Sequence, residues 1–135
     1  MRINYTDEED FSGQFELWQA NCRRSLSGKK GQRELRELRA ALLALPEKRL
    51  IHGEPVDESG DMCAIGVYGK HKGLDLSTFD ADYDNEEIGI AGGMPRLVAW
   101  KVVEANDMDF QYLTPEARYI AMLAWVERQL TKEKS

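Results

Sequence analysis

No stretch of the chain approaches the ~20 consecutive apolar residues that a membrane-spanning helix requires. The opening MRINYTDEED is acidic and lacks the apolar region of a secretory leader, so a cytoplasmic protein is expected, within a host cell if the chain is phage-encoded. Cysteine is scarce: Cys22 and Cys63 are too few for a disulfide framework and are expected to be buried thiols. Positive charge is the minority sign. Eighteen Lys and Arg stand against 24 Asp and Glu, and the resulting net charge of −6 argues against broad attraction to nucleic acid while suiting a basic protein partner. The chain also has no GxSxG, HExxH, paired CxxC, P-loop or dinucleotide-binding fingerprint. No catalytic residue, cofactor or metal is therefore expected.

What remains is enough for one domain. A chain of 135 residues with 42% hydrophobic and 31% charged side chains can bury a single core, so residues 1–135 are read as one unit. Residues 1–10 form an acidic lead-in and 131–135 a C-terminal end expected to fray.

The clearest organised stretch runs from Ser27 to Glu54. Leu35, Leu38, Leu42 and Leu45 recur at helical spacing, with Ser27 as candidate N-cap and Pro46 as the stop. The start of this helix is basic. Arg23, Arg24, Lys29, Lys30 and Arg33 gather around two glycines, where helix dipole, backbone amides and cations favour an anion. A solvated basic loop has the same composition. An earlier helix, capped by Ser12, places Phe11, Phe15, Trp18 and Cys22 on one stripe, read as core.

Beyond Pro46 the pattern changes. RLIHGE (49–54) and MCAIGVY (62–68) are short apolar runs around a polar turn, and read as a β-hairpin. Asp80, Asp82, Asp84, Glu86 and Glu87 then make an acidic loop. Its DxDxD opening resembles a calcium loop, but Asn85 and Ala91 stand where that motif needs its glycine and its glutamate. Residues 86–106 resemble a helix-turn-helix, with a second helix from Pro95; its apolar Leu97, Val98, Trp100, Val102 and Val103 favour burial over base reading. The closing helix opens on Thr114-Pro115 and aligns Ile120, Leu123 and Leu130 on a stripe widened by Ala124, Trp125 and Val126. His52 and Cys63, on opposing hairpin strands, are the one weak catalytic pair, with Asp61 or Asp75 to orient the histidine. Cys22, His52, Cys63 and His71 match a zinc set in number but not in spacing.

The run from Arg23 to Glu54, with MCAIGVYGKHKGLDL and LTPEARYIAMLAWVERQL, resembles a group of small bacteriophage and prophage proteins across most of Trp18 to Leu130. The resemblance implies a phage or prophage context, in which small acidic proteins often act as accessory factors, including inhibitors of host defence. It supplies no activity, cofactor or site residue.

The sequence therefore predicts an α+β domain, mostly helical, with about four helices and one hairpin. The expected function is binding of a host macromolecule, with a host or phage protein as partner. The residues expected to bind are the basic group (Arg23, Arg24, Lys29, Lys30, Arg33) and the acidic group (Asp80, Asp82, Asp84, Glu86, Glu87). The alternative is a nucleic-acid-binding regulator using the 23–33 basic group and the 86–106 segment.

Overall fold

The computed structural model describes residues 5–79 and 85–131. Six α-helices follow one another: α1 (Tyr5–Ser27), α2 (Lys29–Ala44), α3 (Ala64–His71), α4 (Glu86–Gly92), α5 (Arg96–Glu104) and α6 (Pro115–Gln129). A 3-10 turn at Leu76–Thr78 and a π-turn at Ala105–Asp109 complete the order. The domain is all-α, and no strand occurs among the described residues.

That overturns the expected hairpin. Residues 62–68 supply most of α3, which begins at Ala64, and 49–54 is extended loop. A trace of the expected pairing survives: Ile51 N–H donates to the Met62 carbonyl at 3.1 Å, and Val56 and Met62 form an isolated antiparallel bridge. The misreading has a physical cause. Every residue from Ala64 to Gly69 is buried, so α3 presents an unbroken apolar run instead of a stripe, and periodicity cannot separate such a run from a strand. Gly66 adds a packing reason, since a Cβ there would lie 2.2 Å from the Pro55 carbonyl oxygen.

Helix α2 is the axis of the core. Leu35, Leu38 and Leu42 are fully buried, each contributing roughly 1.5–3 kcal/mol by leaving water. Around them pack Ile65 and Tyr68 of α3, Val98 and Val102 of α5, and Met122 and Val126 of α6. Pro46 stops α2 as expected, leaving Leu45 extended just before it. The expected connector from Arg23 to Gly31 shrinks to Gly28 alone, because α1 runs through Ser27 and α2 starts at Lys29. The corner is tight enough that a Cβ on Gly31 would come within 2.0 Å of the Ser25 carbonyl oxygen.

Two buried polar side chains tie distant parts together. Gln32 Nε2 donates to the Leu26 carbonyl (2.6 Å) and the Gln129 carbonyl (2.8 Å), while its Oε1 accepts from Thr131 N–H (2.8 Å). Asn106, in the π-turn, accepts from Ala64 N–H (3.1 Å) and donates to the Ile51 carbonyl (3.0 Å), fixing the loop against the start of α3. Helix α6 is capped by Thr114, whose hydroxyl accepts from Ala117 N–H at 3.2 Å. Its buried face is Tyr119, Met122, Trp125 and Val126, so Trp125 and Val126 of the expected stripe face inward while Ile120, 69% exposed, does not.

Candidate functional site

Helix α1 is 23 residues long, about 34 Å, whereas its neighbour α5 has nine residues and spans about 13 Å. Helix α1 packs on both α5 and α2, and the burial of its described side chains changes along its length. Cys22 and Leu26 enter the interior, but Phe15 (54%) and Leu17 (58%) face solvent. The aromatic stripe expected in the core is therefore divided: Cys22 is buried, Trp18 half-buried and Phe15 exposed, while the Phe11 side chain lies outside the described residues. Phe15 stacks on Trp18 with centroids 6.2 Å apart, and Trp18 meets Trp100 of α5 edge-on at 6.4 Å. Trp100 itself is 40% exposed. Lys101 lies 5.5 Å from the centre of the Trp18 ring and donates to Glu104 at 2.8 Å, so its charge is already engaged. An exposed aromatic edge of this kind carries large contact area on stiff side chains.

The basic group lies at the α1–α2 corner. Arg23, Arg24, Lys29, Lys30 and Arg33 are all exposed there. Ser27 does not cap α2: its hydroxyl donates back to the Arg23 and Arg24 carbonyls (2.9 and 3.3 Å), and Gly28 takes the N-cap position without a side-chain bond. Arg24 hydrogen-bonds the Asn21 side chain, and Arg33 Nε donates to Glu34 at 3.1 Å. Of the acidic group, Glu86 and Glu87 form the first turn of α4, and Glu87 sits 3.5 Å from Arg96. Asp80, Asp82 and Asp84, with the calcium-like pattern, lie outside the described residues. Among the described residues, no ion pair joins the acidic group to the basic corner.

The helix-turn-helix-like segment belongs to the core. Ile88 of α4 and Val98, Ala99 and Val102 of α5 are buried. Arg96 lies 3.5 Å from Glu87, and Lys101 faces Trp18.

The chemistry-bearing side chains separate from one another. Cys63 is the buried N-cap of α3, and burial pushes its thiol up to about 12. His52 is exposed in the loop, and no hydrogen bond joins it to Cys63 among the described residues. Asp61 pairs with Arg49 (2.9 Å), and Asp75 accepts from Ser77 N–H (3.0 Å); neither orients a histidine. No group of three or more His, Cys, Asp or Glu is placed to hold a metal among the described residues.

One buried carboxylate was not anticipated. Glu34, 3% exposed, accepts from the Tyr68 hydroxyl at 2.6 Å and Lys72 Nζ at 3.0 Å through Oε1, and from Arg33 through Oε2. Burial works to raise its pKa, but the three donors outweigh it and hold the carboxyl below its ordinary value. Burial, then the bond to Glu34, drives the Tyr68 phenol well above its own. With both Glu34 oxygens occupied, the cluster clamps α2 to α3. Arg118 is the second buried charge, donating to the Leu50 (2.9 Å) and Leu113 (2.9 Å) carbonyls beneath α6.

Comparison with protein-family models, with curated proteins and with solved structures found no match to this chain. Among the described residues, no helix is long and apolar enough to cross a membrane.

Proposed function

We propose that the protein is a non-enzymatic accessory factor that binds a cationic partner protein through the edge formed by Phe15, Leu17, Trp18 and Trp100. The observation carrying this reading is the exposure of Phe15, Leu17 and Trp100 around the half-buried Trp18 that joins α1 to α5. Trp and Phe concentrate binding energy at protein interfaces, and such anchors are surrounded by polar rims. Glu16 is exposed within the edge, the sequence just before it (Asp7 to Asp10) is acidic, and the chain carries −6 overall. A cationic rim on the partner complements it. The resemblance to small phage and prophage proteins supports a host protein as partner, with a defence component as one class.

The test is capture from host lysate with three baits: the wild-type chain, Phe15→Ala/Trp100→Ala, and Ile120→Ala as a surface control. A protein retained by wild type and control after nuclease treatment, and lost with the double variant, supports the reading. Equal capture by the double variant sinks it.

A second reading, nucleic-acid binding at the α1–α2 corner, is favoured by five exposed cations and by the absence of any acidic residue in the first turn of α2. It requires affinity that falls steeply with salt and is lost in Lys29→Glu/Lys30→Glu. Capture abolished by nuclease would shift the assignment to it.

A further inference from the structure

A cleft of about 430 Å³ opens between the C-terminal end of α2, the loop beyond Pro46 and the outer face of α3, away from the aromatic edge. Its volume falls in the ~300–1,000 Å³ range of small-molecule sites. The floor is apolar, made by Ala41, Ala44 and Leu45 on one side and Met62 and Val67 on the other. The charged side chains around it are unevenly used. Arg49 is held between Glu47 at 2.7 Å and Asp61 at 2.9 Å, so both carboxylates on that wall are spent on one guanidinium. Across the cleft, His71 is paired with Glu37 at 3.0 Å. Lys70 alone among the charged lining residues has no hydrogen bond or ion pair to any described residue.

The geometry points to a binding site for a small amphipathic monocarboxylate, its apolar body on the Ala44–Val67 floor and its carboxylate at Lys70. An ammonium ligand meets no uncommitted carboxylate in the lining, and a neutral one leaves the lysine unused. Lys70 stands in the last turn of α3, where the helix dipole favours a cation, so the charge is held at the rim without help from a ligand. This proposal is independent of the partner-binding edge, which shares no residue with the cleft.

The test uses hexanoate, hexanol and hexylammonium as probes of equal chain length, titrated into the full chain and followed by amide NMR shifts. Saturable shifts at Ala44, Val67 and Lys70 are expected with hexanoate, with affinity at least tenfold above that of the other two. Lys70→Glu should weaken hexanoate tenfold or more while leaving hexanol unchanged. Ala44→Trp, at an exposed position, should fill the floor and abolish binding of all three. Intact amide dispersion elsewhere reports that each variant is folded. The proposal is overturned if hexanoate produces no saturable shift, if hexylammonium binds as tightly, or if Lys70→Glu leaves hexanoate affinity unchanged.

Discussion

Glu34 illustrates how a buried charge can be stabilising only in company. Removing the carboxylate leaves the Tyr68 hydroxyl without its acceptor and Lys72 without its counter-ion, and Glu34→Ala should cost about 2–4 kcal/mol. The pH dependence has a definite sign. Because the folded carboxyl is held below its ordinary value, its contribution is fully present above the unfolded value near ~4.3 and disappears as pH falls through the folded one. Denaturant titrations of wild type should therefore lose stability on acidification below about pH 4, and Glu34→Gln should flatten that part of the profile. An unchanged slope in the variant would mean that other carboxylates dominate. Cys63 gives a second expectation at this scale. A thiol pushed up to about 12 and enclosed at 2% exposure should not react with iodoacetamide near neutral pH, and neither should Cys22. Both should label once the chain is unfolded in guanidinium. Rapid labelling of native Cys63 would reopen the cysteine–histidine chemistry that its burial disfavours.

At the scale of elements, the readable helices were those with one wet face. The Leu35–Leu38–Leu42 stripe of α2, the stop at Pro46 and the Thr114-Pro115 start of α6 follow from local chemistry, and the structure places each as expected. Thr114→Ala should remove one cap bond and cost about 1 kcal/mol by thermal or chemical denaturation, with Thr114→Ser close to wild type. Helix α3 was illegible because its first six residues, Ala64 to Gly69, are all buried, which erases the contrast that marks a helix. The α6 stripe was read in part: Trp125 and Val126 lie on the inner face as expected, but Tyr119 takes an inner place while Ile120 is outside. A tyrosine can be buried when its hydroxyl has an acceptor, here the Leu42 carbonyl at 2.8 Å, and no sequence rule announces that acceptor in advance. The candidate edge was half legible. Spacing put Phe15 and Trp18 on a common stripe, yet only the packing of α5 and α2 against α1 decides which part of that stripe is covered. The cleft was not legible at all, since Lys70 and the Arg49 ion pairs converge only after the supposed hairpin folds as loop and helix.

On the scale of the whole molecule, the amide of Gln32 joins three parts of the chain. It bonds the end of α1, the end of α6 and the residue beyond, so the first and last thirds are stitched through one side chain. Gln32→Leu keeps the volume but strands the Leu26 and Gln129 carbonyls and Thr131 N–H, and should cost about 2 kcal/mol in urea unfolding. If α6 then detaches on its own, near-ultraviolet signals from Trp125 should change before the rest of the helical signal. A single coincident transition would show that the bundle unfolds as one unit despite the loss. The same stitch has a consequence for how the protein is made. While a ribosome is still synthesising α6, the Leu42 face of α2 has no Met122 or Val126 beside it, and Gln32 has no distant partner. The nascent protein therefore carries an open apolar groove until α6 has emerged, and it is in that interval that chaperones would meet it.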